Sequence, residues 1–194
     1  MEADRDMILS HPSQKKARVG RPALRLETER LILRAMTQDD VDAIYAIVGD
    51  PIAMQYYPRT FTRQDAVEAI ERNLRRYAKD GYGLFAVVLK GSGKVIGDCG
   101  LTWQLADDTP MLELGYHLQR EHWGHGYATE AARACMEYAF RELGAEKLVS
   151  IIFAENQPSR RVAERNGMRV ERQVMHSGRP HLLYVITREN YGQA

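Results

Sequence analysis

Residues 111–141 change hydrophobic period in mid-run, and no other stretch restricts the fold so tightly. From Met111 to Leu118 the side chains alternate. Leu112, Leu114, Tyr116 and Leu118 share one face, and Glu113, Gly115 and His117 share the other, which is the period of a strand. From Ala128 onward, Ala131, Ala132, Cys135, Ala139 and Leu143 recur at helical spacing. The joint, Arg120-Glu-His-Trp-Gly-His-Gly-Tyr-Ala-Thr-Glu130, carries glycines at 124 and 126. A strand that turns through glycines into a helix aims free backbone N–H groups and the positive end of the helix dipole at one point. The physical expectation is an anion, most naturally a phosphate. Glycine lets such a ligand approach the main chain closely. A Walker loop would need Gly-Lys-Ser/Thr, and His125-Gly126-Tyr127 stands instead. A dinucleotide fingerprint would need Gly or Ala where Thr129 stands. Two glycines alone fit an ordinary tight turn equally well.

The chain has 194 residues, of which 44% are hydrophobic, enough for one domain with a real core. Its 27 basic and 26 acidic residues balance, so composition points to no nucleic-acid partner. No apolar run approaches the ~20 residues of a membrane span, and Met7-Ile-Leu9 is too short for a signal-peptide core. Cys99 and Cys135 lack metal-type spacing, and the expectation is two reduced thiols in a cytoplasmic protein. Residues 1–23 are polar, hold Pro12, Gly20 and Pro22, and read as a flexible extension. The domain is expected over 24–194.

Along that domain, a first strand with a kink falls within Arg25 to Arg34. Thr37 with Asp40 and Thr62 with Asp65 are helix N-cap signals. The first helix carries Val41, Ile44, Tyr45 and Val48 as a stripe. The second faces the core with Ala66, Val67, Ile70, Leu74 and Tyr77. Strands follow at 84–89 and 94–103, joined by Gly91-Ser-Gly93. Leu148 to Phe153 reads as a buried strand, and a short helix lies between Pro158 and Asn166-Gly167. Two last strands, 168–175 and 182–187, flank Ser177-Gly178. The order is β-α-α-β-β-β-α-β-α-β-β, an α/β fold with a mixed central sheet flanked by helices.

Trp123-Gly-His-Gly-Tyr-Ala-Thr-Glu-Ala131, followed by Ala154-Glu-Asn-Gln-Pro-Ser-Arg-Arg-Val-Ala-Glu-Arg-Asn-Gly-Met168, resembles the GNAT superfamily of acyl-CoA N-acyltransferases, nearest its RimJ/RimL-like branch. The resemblance covers roughly Leu24 to Tyr191. It implies a GNAT fold, whose sheet splays around acyl-CoA between the strand at 111–118 and the one at 148–153. It also implies acetyl-CoA as acyl donor, with Gly124, His125, Gly126, Tyr127, Ala128 and Thr129 gripping its pyrophosphate and Leu118 as a further cofactor-binding residue. The family pattern Gln/Arg-x-x-Gly-x-Gly/Ala has Glu121 at its first position here, so one side-chain contact is lost while the backbone cradle is kept. Arg120, Arg160 and His125 are candidate replacements for that charge. Asn156 and Ser159 form the second signature. Read alone, they are helix-capping residues. By resemblance the asparagine contacts the pantetheine arm, and the Ser159 hydroxyl lies near the thioester sulfur as a general acid.

An amine attacks only with a free lone pair. A protein α-amine titrates near ~8 and a lysine near ~10, so a base is needed. Glu113 is the candidate catalytic base, with His117 on the same strand face and Asp98 on the neighbouring strand as alternatives. A salt bridge within the sheet is the plainer role for Glu113. Relatives often carry an acidic residue after the histidine near 181, where this chain has Leu182 and Leu183. With no cysteine in either signature, direct transfer is expected rather than a covalent enzyme intermediate. His122 and His125 have ligand-like spacing but no Cys or Asp nearby, so no metal is expected. Tyr56, Tyr57 and Phe61 are candidates for the acceptor pocket.

Three readings follow. The first is an acetyltransferase acting on a protein N-terminal α-amine. The second acts on a small amine such as an antibiotic, polyamine or amino-acid analogue. The third is a non-catalytic CoA-binding module. The partner is thus an amine acceptor, with no nucleic acid or membrane, in a monomer or homodimer.

Overall fold

The computed structural model describes residues 25–192. The extension expected at 1–23 lies outside the described residues. Where one kinked strand is expected, two short ones form: β1 (Arg25–Glu27) pairs antiparallel with β2 (Leu31–Arg34). The turn between them closes because Thr28 Oγ1 accepts from Leu31 N–H at 3.0 Å. A 3-10 turn (Gln38–Asp40) leads into α1 (Val41–Val48). Thr37 N–H donates to the Asp40 carboxylate at 2.8 Å, and Arg34 grips the same carboxylate with both terminal nitrogens. The buried stripe of α1 is Val41, Ile44 and Ile47; Tyr45, expected on it, is exposed.

Thr62 caps α2 (Arg63–Asp80): its hydroxyl accepts from Asp65 N–H at 3.2 Å, and Asp65 accepts from Thr62 N–H at 2.7 Å. Gly81 ends α2 in the left-handed region at φ 81°, as glycine does at helix C-termini. Ala66 and Ile70 are buried as expected, while Leu74 is exposed. The buried Asn73 sits one position before it. Its Oδ1 accepts from Leu84 N–H at 3.0 Å and ties α2 to the sheet.

β3 (Leu84–Leu89), β4 (Val95–Ala106) and β5 (Thr109–Leu118) form a meander. β4 and β5 are longer than expected because Asp107 and Asp108 both take positive φ, giving a two-residue turn. α3 (Tyr127–Arg141), β6 (Lys147–Ile152), α4 (Gln157–Arg165), β7 (Arg169–His176), β8 (Arg179–Thr187) and a final turn, α5 (Arg188–Tyr191), complete the order. The eight strands lie in the order β1-β2-β3-β4-β5-β6-β8-β7.

α3 and α4 pack on one face. There Ala131, Ala132, Cys135 and Met136 meet Cys99, Leu101, Leu112 and Leu114. α1 and α2 cover the other face over β3 and β4, through Ile44, Ile47, Ala66 and Ile70 on Ala86. Beyond β5 that second face holds a smaller cluster made of strand residues, Ala106, Val149, Val174 and Leu183.

Every neighbouring pair is antiparallel except β5 and β6, which are parallel and register at one position, Glu113 with Val149. From there the strands diverge. β5 stays paired with β4 through Leu118, and β6 stays with β8. Two side chains bridge the opening: Ser150 Oγ donates to Leu114 O at 2.7 Å, and Ile151 N–H donates to Glu113 Oε1 at 3.2 Å. The expected splay is therefore present, with Glu113 at its apex.

Candidate active site

The loop between β5 and α3 builds the first part of the site. Gly124 and Gly126 both take left-handed backbone, at φ 80° and 82°, and Gly126 is the N-cap of α3. Trp123 Nε1 donates to Leu118 O at 2.8 Å and pins the loop to the strand end. Leu118 itself is buried beneath α3, so its side chain serves the core rather than the loop surface. Among the described residues, the N–H groups of 124–129 meet no acceptor. The first to do so is Glu130 N–H, which donates to Gly126 O at 3.0 Å. Thr129 Oγ1 is also buried without a partner. Six donors and an orphaned hydroxyl face one helix N-terminus, beside a glycine around which a Cβ would meet nothing. A pyrophosphate at this helix N-terminus would take up unpaired main-chain donors, so the residues present fit one.

Arg120, Arg160 and His125, the candidates for charge on the pyrophosphate, each have a partner within the protein. Arg120 pairs with Asp50 at 3.1 Å. Arg160 donates to Tyr184 Oη and to Ala154 O, both at 3.0 Å. His125 stacks on Tyr127 with centroids 5.6 Å apart. Arg30, from the β1–β2 turn, instead donates to His125 O at 3.0 Å and to Glu130 at 2.7 Å, with its guanidinium 4.6 Å from the Tyr127 ring centre. Burial opposes the Glu130 charge, but hydrogen bonds from Thr28 and Arg30 outweigh it and hold the carboxyl below its ordinary range. A groove of about 550 Å³ runs from Gly126 and Thr129 past Arg133 to Arg165. Nothing in the local sequence pattern marks Arg30, since its partners lie about a hundred residues away.

Across the splay stands the second signature. Asn156 Oδ1 accepts from Ser159 N–H at 3.1 Å and caps α4. The capping role therefore belongs to the Asn156 side chain and the Ser159 main chain. The Ser159 hydroxyl has a different partner: it donates to Tyr116 Oη at 3.3 Å, while Tyr116 O–H donates to Ser159 O at 2.9 Å. Tyr116 belongs to the apolar face of its strand by periodicity. Its ring does lie on that side, and its hydroxyl reaches over to α4. Burial raises its pKa well above the ordinary phenol.

On the opposite face of β5 lie the candidate bases. Burial pushes the Glu113 carboxyl up, and the hydrogen bond from Ile151 and the nearby charges of His176 and His117 only partly offset this. His117 sits between two partners, with Nδ1 2.8 Å from the buried Asp98 carboxylate and Nε2 2.6 Å from Tyr57 Oη. Burial disfavours the imidazolium there, yet Tyr57 and Asp98 together lift its pKa well above the ordinary value. Phe61 packs edge-on against Tyr57 at 6.3 Å. Tyr56 leans on Phe153 at 6.2 Å. Cys99 and Cys135 are fully buried on the α3 side with their sulfurs 3.7 Å apart, away from this face. Among the described residues no group of three His, Cys, Asp or Glu side chains is placed to hold a metal ion, and no helix is long and apolar enough to cross a membrane.

A glycine turn with unpaired main-chain donors at a strand–helix joint, opening onto a splayed sheet with Ser159 and Tyr116 on one side and Glu113 and His117 on the other, is a layout suited to an acyl-CoA-dependent transferase. The chain belongs to the family described as the acetyltransferase (GNAT) domain, whose model matches residues 30–169. It is 34% identical to YkkB of Bacillus subtilis, across 82% of this chain and 94% of that one. It is 32% identical to the N-acetyltransferase p20 of Bacillus licheniformis, across 69% and 76%. An acetyltransferase structure from Agrobacterium tumefaciens matches with a TM-score of 0.75 at 27% identity, across 88% and 98%. Two more distant structures share the fold alone. They are the ribosomal L7/L12 α-N-protein acetyltransferase RimL (TM-score 0.69, 16% identity) and the aminoglycoside acetyltransferase AAC(6')-Ib with coenzyme A (0.70, 19%). The protein is an N-acetyltransferase of the GNAT fold, and its family uses acetyl-CoA.

Proposed function

We propose that this enzyme transfers the acetyl group directly to a primary amine on the Glu113–His117 face of the splay, and that the acceptor is a protein N-terminal α-amine. The observation that carries the donor side is the cradle of 124–129 with the orphaned Thr129 hydroxyl. Acetyl-CoA brings an activated thioester and a pyrophosphate to grip. The backbone N–H groups of residues 124–129 and Thr129 Oγ1 hold the pyrophosphate. Asn156, whose Oδ1 is committed to the cap, keeps its amide N–H donors for the pantetheine arm.

Ser159 Oγ gives up its bond to Tyr116 Oη and donates its proton to the departing thiolate, and the second proton shed by the acylated nitrogen restores the serine hydroxyl. Burial keeps Tyr116 protonated, and its O–H bond to Ser159 O holds the serine in place. Glu113 takes a proton from the acceptor ammonium. Burial raises its pKa, which makes it a stronger base than an exposed carboxylate. The two thiols lie in the core beneath α3, and burial raises the Cys99 thiol, so neither is placed to carry the acyl group. That favours direct attack.

The α-amine reading rests on the RimJ/RimL-like signatures. It also rests on chemistry, because an α-amine surrenders its proton more readily than a lysine. Replacing Ser159 by Ala tests the acid assignment. The Asn156 cap uses only the Ser159 main chain and survives the change. The expected result is a kcat lower by ~10²-fold or more with unchanged acetyl-CoA affinity and melting temperature. A normal kcat withdraws the assignment.

A further inference from the structure

The acceptor face carries a cation that neither the donor cradle nor the acid–base pair uses. Arg179 opens β8, and its side chain crosses to the α1–α2 connection. There Nη1 donates to Tyr56 O at 3.1 Å, and the guanidinium carbon lies 4.1 Å from the Phe153 ring centre. Among the described residues no carboxylate pairs with it, and Nε and Nη2 keep their donors.

A continuous wall joins this cation to Glu113. His176 is close enough to Glu113 to stabilise its charge. His176 meets His181 edge-on at 5.5 Å, and His181 meets Phe153 at 5.5 Å, directly under Arg179. Each imidazole is oriented through Nδ1: His176 toward Leu105 O at 3.1 Å and His181 toward Arg179 O at 2.9 Å. Burial lowers the His181 pKa, which leaves that ring neutral and Arg179 the fixed charge at this end. This row thus has a carboxylate at one end, a guanidinium at the other, and two imidazoles and a phenyl ring between.

We propose that Arg179 determines acceptor specificity by binding a carboxylate carried by the acceptor, so that the amine acetylated by this enzyme belongs to an acidic molecule. This rests on the reading that Glu113 takes the acceptor amine. The arrangement matches a molecule with an ammonium and a carboxylate separated by an apolar stretch. A guanidinium with free donors is suited to grip a carboxylate through paired hydrogen bonds. A polycation such as an aminoglycoside or polyamine places like charge against Arg179. Two sources offer the required chemistry: an N-terminal segment with Asp or Glu shortly after the first residue, and a free amino acid.

The test uses the full-length enzyme saturated with acetyl-CoA. C-terminally amidated peptides that differ only by Glu or Gln at the second or third position form one arm, a free amino acid and its amide, leucine and leucinamide, a second, and a polyamine a third. The expected result is a kcat/KM at least ~10-fold higher for the carboxylate member of one arm. Arg179→Gln should erase that preference, Arg179→Lys should keep part of it, and Arg179→Glu should shift it toward the polyamine. Anisotropy of the labelled peptides on the CoA-saturated protein gives the same comparison without turnover. Equal binding of the Glu and Gln peptides, and of leucine and leucinamide, by the wild type overturns the proposal, as does an undiminished preference in Arg179→Gln. If the acidic acceptor binds selectively but no amine is acetylated, the transfer reading fails and the carboxylate site stands. If amines are acetylated without regard to charge, the reverse holds.

Discussion

Thr129→Val separates a ligand-binding hydroxyl from a structural one, because its two effects have opposite signs. Thr129 is the third residue of α3, and its Oγ1 is buried with no hydrogen-bond partner. Valine keeps the β-branched shape and removes only the unsatisfied polar atom. A buried unpaired hydroxyl costs about 1–3 kcal/mol, so the ligand-free variant should be at least as stable as the wild type. A gain of ~1 kcal/mol raises Tm by about 2–4 °C in a chain of this size. With coenzyme A the sign reverses. A hydrogen bond to a charged phosphate is worth about 1.5–3 kcal/mol, so Kd should rise by roughly 10- to 150-fold. Scanning calorimetry on the free protein and titration calorimetry with coenzyme A measure both. A variant with a lower Tm and an unchanged Kd would falsify the placement of the pyrophosphate at Thr129.

Four further outcomes follow from the same geometry. Gly126→Val should raise the coenzyme A Kd by at least ~10-fold, because φ 82° is a strained conformation for a β-branched residue; unchanged calorimetric affinity in the folded variant places the cradle elsewhere. Asn156→Ala should cost about 1 kcal/mol of stability, since its Oδ1 is the α4 cap, and a melting temperature equal to wild type contradicts that. Glu113→Gln should lower kcat by ~10²-fold or more yet stabilise the protein at neutral pH. The folded pKa of Glu113 is raised by burial, so its contribution is fully present below the ordinary glutamate range and is lost as pH rises through the raised value; a variant less stable than wild type at neutral pH contradicts this sign. His117 has a raised folded pKa as well, so the stability from its Asp98 and Tyr57 contacts is complete below about 6.5 and lost only as pH rises through the higher folded value. An NMR titration that places its midpoint at or below 6.5 refutes the Asp98–His117 pairing.

Local chemistry was legible in the sequence and long-range chemistry was not. The Thr62 cap forms, Thr37 opens the 3-10 turn before α1 with its N–H bonded to Asp40 rather than through its hydroxyl, Ser177-Gly178 makes the expected turn with both residues at positive φ, and α3 begins one residue after Gly126. Each of these depends on residues within about one helical turn. Periodicity misplaced Tyr45 and Leu74, because a stripe read from apolar letters alone cannot tell that Ile47 faces inward or that the polar Asn73 is the buried one. The site was half readable. The glycine loop, Asn156 and Ser159 are contiguous motifs. The partners that give them their roles come from distant segments: Tyr116 for Ser159, Arg30 for the loop, and Asp98 with Tyr57 for His117. Arg179 gave no signal, since its contacts to Tyr56 and Phe153 exist only once the β7–β8 hairpin folds across to the α1–α2 connection.

The most direct test of the central claim is stoichiometry in a single turnover. Enzyme in excess over acetyl-CoA is mixed with an N-terminal peptide, and free thiol and acetylated α-amine are followed together with the intact mass of the enzyme. Direct transfer at this site predicts one thiol released per α-amine acetylated, at equal rates, with no acetylated enzyme at any time. Thiol release that outruns amine acetylation, with an acetyl group carried on the protein, would contradict it.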